Sequence, residues 1–261
     1  MPIDDEPAKD RQFVTALSRG LAILKCFDGQ HRQLGVSDLA RRVGLPQPTV
    51  WRLCHTLIKE GYLVQTDRND KLRPGVAVLA LGFAALTSTP LAELAFDAMN
   101  SIAEKHEGAV SLAVADNADM IYIQRCQGSK IILSSLTTGS RVPMLTSAVG
   151  WAYLAGLPPE RRKQALKICR DANPKQYPEV IGLFEKALAF YEKNGHLESH
   201  GILHPQINAV GAPVRSHDGE RVFGLSAGGI SSLFDATRLQ AAAEDIRNLA
   251  SELSQIVSAQ R

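Results

Sequence analysis

Residues 36–66 limit most strongly what this chain can fold into, because they describe two short helices joined by a tight turn. Ser37 is placed to cap the first helix, and Gly44 to end it, since glycine tolerates the left-handed backbone at a helix C-terminus. The second helix opens at residues 46–48, where two prolines lack N–H groups that a helix start leaves unused. Its apolar side chains recur at helical spacing, at Val50, Leu53, Cys54, Leu57 and Ile58.

Two short strands are predicted after this helix pair, at residues 63–66 and 72–74, on either side of a polar tip. Residues 34–35 can add a further short strand to them. A helix pair followed by such a hairpin is typical of a winged helix-turn-helix, whose second helix enters the major groove of DNA.

The polar face of the second helix carries amide, hydroxyl and cationic side chains, which hydrogen-bond with base edges and phosphates. Arg52 is the strongest candidate, because a guanidinium reads guanine through two hydrogen bonds. The alternative is an ordinary solvated helix face, and the neighbouring helix and wing favour DNA contact instead. The predicted DNA-binding residues are Ser37, Gln47, Pro48, Thr49, Arg52, His55, Lys59, Arg68, Lys71 and Arg73.

Charge is concentrated in the same part of the chain. Residues 9–73 contain twelve lysines and arginines against six acidic residues, whereas the whole chain has a net charge of +2. A basic module joined to a near-neutral remainder indicates a DNA-binding domain attached to a domain of another kind.

The four cysteines are far apart and have no zinc-ligand spacing, so we interpret them as reduced core residues of a cytoplasmic protein. We expect no metal and no cofactor. No apolar run is long enough to span a membrane, and the N-terminus does not have the pattern of a signal peptide. Residues 1–10 are polar, and we expect them to be disordered.

The DNA-binding domain is predicted to cover residues 11–74, beginning with a helix at 13–27. We expect its inward side chains to be Val14, Leu17, Leu21, Leu24 and either Cys26 or Phe27. Residues 75–89 form a linker helix that is apolar on several faces, which a lone surface helix would not be. We therefore expect it to be buried against a second copy of the chain, and Pro90 to mark the domain boundary.

The second domain, residues 90–261, alternates between helical and strand patterns. We predict a helix at 91–106 with Leu94 directed inward, and three strands within 110–136. Helices at 148–155, 160–169 and 178–194 follow. A hairpin of strands at 207–214 and 221–227 precedes a last helix capped by Asp235. This order suits an α+β fold, in which helices cover a central antiparallel sheet.

Three stretches resemble the IclR family of bacterial transcriptional regulators. They are residues 16–29 with 36–65, residues 138–155, and residues 212–229. The resemblance implies a winged helix-turn-helix, a linker helix and a C-terminal GAF-like effector-binding domain. It also implies homodimers or dimers of dimers on palindromic operators.

The same resemblance places a small-molecule effector in a cup between the sheet and the loop at 138–150. It implies that the cup is lined by Leu136, Met144, Ala148, Gly150, Ser199, Ala209, Ser226 and Gly228, with Trp151, Arg141, His200 and His204 as further candidates. Members that bind small carboxylates commonly have an acidic residue, a cysteine and a second serine where this chain has Ser199, Ala209 and Gly228. Because Trp151 also replaces a common lysine, the change favours a larger or more aromatic carboxylate.

Two sets of residues allow other interpretations. His196, His200 and His204 recur every four residues, but the glycines and the proline around them argue against a helical metal site and favour loop histidines at the rim of the cup. Arg141 either orients a ligand carboxylate or pairs with an acid on the surface.

The sequence contains no nucleotide-binding or nucleophile motif in its proper context, so we predict no catalytic residues. The favoured hypothesis is a ligand-responsive regulator of a catabolic operon. The alternatives are a ligand-independent DNA-binding protein, and a small-molecule-binding or enzymatic domain with an accessory helix-turn-helix.

Overall fold

The computed structural model describes residues 12–29, 31–66, 70–129 and 136–259. The chain divides into two compact units, residues 1–87 and 88–261. The predicted disordered N-terminus, the tip of the wing at 67–69 and most of the predicted strand at 131–136 lie outside the described residues. Among the described residues no single helix is long and apolar enough to cross a membrane. The one candidate is a pair, Val76–Thr87 with Leu91–Lys105, that qualifies only when both helices are taken together.

The described part of the first unit begins with three helices and a two-stranded antiparallel sheet: α1 (Thr15–Leu24), α2 (Val36–Val43), α3 (Gln47–Lys59), β1 (Leu63–Gln65) and β2 (Leu72–Pro74). Its core contains Ile23, Leu39, Val50, Cys54 and Leu63, which come from four of these elements. Gly44 has a φ of 66° and ends α2 as predicted. Leu34 forms an isolated antiparallel bridge with Leu72, so the expected pairing with the wing is present at one residue, and Gly35 does not extend it into a strand.

Two predictions about this unit are wrong. Gly35, not Ser37, occupies the N-cap of α2, because the helix begins two residues earlier, and no side chain caps it. Helix α1 is shorter than 13–27, and its predicted inward residues Leu17 and Leu21 are exposed, whereas Ile23 is fully buried. The helix is apolar on more than one side, so its periodicity did not show which side packs against α3.

Helix α4 (Val76–Thr87) completes the first unit, and none of its side chains is buried. Val76, Leu79 and Phe83 are 83%, 74% and 66% exposed. Exposed apolar surface of this extent on a regular helix marks a surface on which another element packs.

Among its described residues, the second unit has six helices: α5 (Leu91–Leu94), α6 (Phe96–Lys105), α7 (Ala148–Gly156), α8 (Pro159–Ala172), α9 (Tyr177–Asn194) and α10 (Ala236–Ala259). Its strands are β3 (Ala109–Asp116), β4 (Asp119–Gln127), β5 (Arg141–Pro143), β6 (Leu197–His200), β7 (Ile207–Arg215) and β8 (Val222–Ile230). They form one antiparallel sheet in the order β5-β4-β3-β8-β7-β6. The predicted α+β fold is therefore confirmed.

Each face of this sheet has its own core. Helices α6 and α10 cover one face, where Val110, Leu112 and Leu225 pack beside Ile246 and Leu253. Helices α7, α8 and α9 supply the core on the other face, which includes Trp151, Cys169 and Phe184.

Several details of the second unit differ from the sequence-based expectation. The predicted helix at 91–106 is broken at Ala95, and Leu94 is 55% exposed rather than inward. Residues 141–143 and 197–200 form edge strands where we expected loops. Both strands have fewer than five residues, too few for the alternation of side chains to be recognised. Asp235 does cap α10, since its carboxylate accepts the backbone N–H of Arg238 at 2.9 Å.

Candidate functional site

Helix α3 presents an open polar face away from its buried side. Gln47, Arg52, His55 and Lys59 are exposed, and Thr49 is half-buried. Within the described residues, no hydrogen bond or ion pair occupies the side chains of Gln47, Arg52, His55 or Lys59. Their donors are therefore available to a partner outside the unit, which is what a recognition helix requires.

Trp51 lies on the same open face and was not predicted to contact DNA. It is 44% exposed and lies one helical turn from both Gln47 and His55. A tryptophan that stays exposed between polar residues offers an apolar surface, of the kind that contacts a thymine methyl group. Its position outside the apolar stripe of α3 is the signal that could have identified it.

The other predicted DNA-binding residues of the first unit lie around this helix in sequence. Ser37 is exposed at the start of α2, and Arg73 is exposed on β2. Lys71 is half-buried beside the wing, and Arg68 lies outside the described residues. Pro48 is exposed in the first turn of α3, where it needs no N–H partner.

In the second unit, two rows of directly paired residues cross the sheet on the face opposite α10. The first row is Arg125, Ser111, Ser226, Gly211 and Leu197, and the second is Gln127, Ala109, Gly228, Ala209 and Ser199. Residues that pair directly across antiparallel strands point to the same face. The first row therefore contains Ser226, and the second brings together Ser199, Ala209 and Gly228, as the sequence predicted.

The start of α7 covers the first of these rows at one end. A Cβ atom on Gly211 would lie 2.8 Å from the backbone oxygen of Ala148. By contrast, Ala209 and Gly228 lie on inner strands and are nevertheless partly exposed. Solvent therefore reaches the sheet at these two positions of the second row.

The remaining predicted effector residues near α7 are mostly inaccessible. Met144, Ala148, Gly150 and Trp151 are buried, and Trp151 donates its indole N–H to the carbonyl of Leu145 at 2.8 Å. These residues hold α7 in place. Leu136 is half-buried and packs against the core around α7.

The candidate polar residues of the rim lie at the surface. Arg141 forms ion pairs with Asp116 and with Asp119, the latter at 3.5 Å, so the structure shows the surface-pair alternative. His200 is exposed on β6 and approaches Glu198 at 3.1 Å, and strand alternation directs it away from the face of Ser199. His204 is exposed and accepts the N–H of Gln206. Among the described residues no three metal-ligating side chains lie together.

Arg125 was not predicted as a site residue, although it lies in the first row. Its guanidinium donates to the hydroxyl of Ser111 at 2.6 Å and lies 5.3 Å from the centre of the Tyr122 ring. Burial lowers the pKa of Arg125, and burial raises the pKa of Tyr122. The Nε atom of Arg125 is buried and has no hydrogen-bond partner among the described residues.

Three surface depressions of the second unit lie elsewhere. One of about 890 Å³ lies between the end of α7, the β7–β8 turn and α10, and two of about 600 and 260 Å³ adjoin α8. None of the three is lined by a predicted effector-binding residue.

Comparison with known proteins agrees with this architecture. Residues 16–67 match the IclR helix-turn-helix domain, and residues 83–255 match the bacterial transcriptional regulator IclR C-terminal domain. The Pca regulon regulatory protein of Pseudomonas putida is 35% identical over 164 residues, which are 60% of this chain and 56% of that protein. The chain thus matches little more than half the length of that relative.

Solved structures are similar over nearly the whole chain. An IclR family transcriptional regulator from Brucella abortus is 32% identical with a TM-score of 0.84, and the match covers 98% of this chain and 96% of that one. An IclR homolog from Microbacterium hydrocarbonoxydans, solved in complex with 4-hydroxybenzoate, shares the fold at 21% identity and a TM-score of 0.73, covering 94% and 100% of the two chains. The matched families are regulators rather than enzymes. The chain therefore belongs to the IclR family of transcriptional regulators.

Proposed function

We propose that this regulator binds a palindromic operator through α3 and controls a catabolic operon in response to a small organic carboxylate, with aromatic acids as the favoured class. The observation that supports the DNA-binding part of this proposal is the open face of α3, where Gln47, Arg52 and His55 surround the exposed Trp51. These side chains are preorganised on a packed helix and are free to hydrogen-bond with bases.

The exposed apolar side of α4 supports assembly as a homodimer or a dimer of dimers. Leu79 and Phe83 are mostly exposed in the single chain, and a second copy of the same helix would remove them from water. Two copies related by a twofold axis would present two α3 helices, which fits a palindromic operator.

The ligand-binding part of the proposal is supported by the paired residues Ala209 and Gly228, which are partly exposed on inner strands and carry no polar side chain. A ligand with an apolar body fits such a surface. An aromatic acid agrees with the 4-hydroxybenzoate complex of a protein that has the same fold.

The test of the DNA half begins with an operator selected from a random duplex library by the purified protein. Arg52→Ala should weaken binding and relax preference at one base pair, at a cost of about 1–3 kcal/mol. Arg73→Ala should weaken all sequences equally and reduce the slope of affinity against salt by about one unit. Arg170→Ala, on an exposed helix of the second unit, is the matched control. If Arg52→Ala keeps the base preference of the wild type, α3 is not the recognition helix.

The test of the ligand half is thermodynamic. A carboxylate that binds the second unit should change operator affinity by about 5–150-fold, and the operator must change carboxylate affinity by the same factor. Mobility shifts with ligand and calorimetry with and without operator measure the two sides. If operator affinity is the same with saturating carboxylate as without it, the protein is instead a ligand-independent DNA-binding protein.

A further inference from the structure

The second unit contains a cation that its own residues do not neutralise. Arg125 lies on β4, an inner strand of the sheet, and its guanidinium meets a serine hydroxyl and an aromatic ring rather than a carboxylate. Within the described part of the chain no acidic side chain forms an ion pair with Arg125. Arg125 is partly exposed, but its Nε atom is buried, and leaving a largely desolvated charge unpaired is costly, so its retention calls for a counter-charge from elsewhere.

The surroundings of Arg125 are suited to an anion. In the two rows that cross this face, Arg125 carries the one formal charge, and the nearest row positions are Ser111 and Ser226. Both serines are buried, at 2% and 8% exposure. Ser226 lies two residues before Gly228 on β8, and Gly228 pairs with Ala209, so the serine row is next to the partly exposed row on the same face.

We propose that Arg125, with the hydroxyls of Ser111 and Ser226, is the anchor for the carboxylate group of the effector. This inference rests on the proposed function and adds the site and the charge of the ligand. The guanidinium offers a planar fork that matches the two oxygens of a carboxylate, and the buried Nε donor gains its missing acceptor. The apolar body of the ligand then lies over Ala209 and Gly228, where small residues leave room.

The geometry also sets which ligands are rejected. An amide of the same shape has no charge to offer the guanidinium and presents an NH₂ group where a second acceptor is needed. A dicarboxylate brings a second charge over a row that has no other cation. The expected class is therefore monocarboxylates with an apolar body.

The experiment compares Arg125→Gln with Arg141→Gln, a surface arginine already paired with Asp116 and Asp119. The probes are benzoate, 4-hydroxybenzoate and hexanoate, each beside its own amide. At least one of these acids should raise the melting temperature of the wild type while its amide does not. Calorimetry should show that acid binding about 30-fold or more weakly to Arg125→Gln, and unchanged to Arg141→Gln.

A second readout separates ligand binding from a structural role. Without ligand, Arg125→Gln should melt close to the wild type, because removal of an unpaired, largely desolvated charge offsets the lost contacts with Ser111 and Tyr122. Ser226→Ala should retain the fold and weaken the same acid several-fold. An arginine that merely holds the sheet together would instead lower the melting temperature in the absence of ligand, and that result would overturn the proposal.

The remaining outcomes distinguish this inference from the proposed function. If an acid binds the wild type and Arg125→Gln equally well, the assignment of Arg125 as the anchor is wrong, whereas the proposal of a carboxylate effector is unaffected. If amides bind as well as acids, or if none of the acids binds the wild type, both the anchor and the carboxylate effector are wrong. Operator binding by α3 is measured separately and is unaffected by either result.

Discussion

Gly150 provides a direct test of how α7 is held against the sheet. The sequence pointed to this glycine as part of the ligand cup, but the structure places it inside the core. A Cβ atom added here would lie 2.0 Å from the backbone oxygen of Met144 and 2.6 Å from its Cα atom. The Met144 backbone cannot yield easily, because its N–H donates to the carbonyl of Ala118 at 2.9 Å.

The expected size of the effect follows from a matched pair of helical glycines. Gly182, in α9, has nothing within 4 Å of the position that an added Cβ atom would take, so Gly182→Ala gains only helix propensity, up to about 1 kcal/mol. Gly150→Ala gains no more helix propensity than Gly182→Ala, and its added Cβ atom must displace the Met144 backbone. This displacement costs about 1–3 kcal/mol for overpacking and about 1 kcal/mol for a lost hydrogen bond. The two variants should therefore differ by roughly 2–4 kcal/mol.

Urea unfolding followed by far-UV circular dichroism measures this difference, read on the transition of the second unit. Melting temperatures should separate by roughly 4–16 °C, since 1 kcal/mol corresponds to about 2–4 °C in a unit of this size. If Gly150→Ala proved as stable as Gly182→Ala, the close contact between α7 and Met144 would be wrong. Position 150 would then be available as a wall of the cup, as the sequence predicted.

Three further predictions concern separate parts of the chain. Phe83→Asp should lower self-association in sedimentation at micromolar concentration, with Glu93→Lys as an exposed control, because a charge on α4 opposes burial of its apolar side. A thiol reagent at pH 8 should label Cys26 before the other cysteines, because burial raises the pKa of Cys54 and of Cys169 to about 11, and urea should expose all four. Burial alone would raise the pKa of Asp245, but hydrogen bonds from Lys105 and His106 lower it overall, so its ionised form stabilises the fold above the unfolded-state pKa of about 3.9. That stability is lost as the pH falls through the lowered pKa. The difference in unfolding free energy between the wild type and Asp245→Asn should therefore disappear below about pH 4. A difference that does not change with pH would contradict the assignment.

Much of the first unit could be predicted because its signals are local. Gly44 and the prolines at 46 and 48 fix the ends of helices, and the buried Val50 and Cys54 fall on one helical stripe. Helix α1 was harder, because apolar residues lie on two of its sides and only the packing of Ile23 decides between them. Leu17 and Leu21 were therefore assigned to the wrong side.

The ligand face was predicted less completely, because its residues are brought together by strand pairing over long separations. Ser199, Ala209 and Gly228 could be located through the family resemblance alone, and the structure places them in one row. Gly150 and Trp151 matched the same family segment, yet packing against Met144, Leu145 and Phe184 buries them. A motif specifies where a segment lies in the fold, and neighbouring side chains decide which of its residues remain accessible.

Arg125 shows why one charge of this face could not be found from alternation. Simple alternation along β4 groups Arg125 with Ile121 and Ile123, on the core side of the sheet. In the structure Ala113 pairs with Tyr122 and Leu112 with Gln124, so the pairing passes over Ile123, which forms a bulge. A single extra residue transfers every later side chain to the opposite face.

The bulge therefore bears on the proposed carboxylate anchor as well as on the geometry of the sheet. With regular pairing, the guanidinium of Arg125 would point into the apolar core beneath α6 and α10, where a charge is destabilising. The shift at Ile123 brings it instead beside Ser111, in the row that also contains Ser226. In the second row, Ser199, Ala209 and Gly228 replace the more polar groups that the resemblance associates with small carboxylates, and no acid competes there for the guanidinium. An apolar second row and a cation in the first row therefore favour the same proposed ligand, one carboxylate joined to an apolar body.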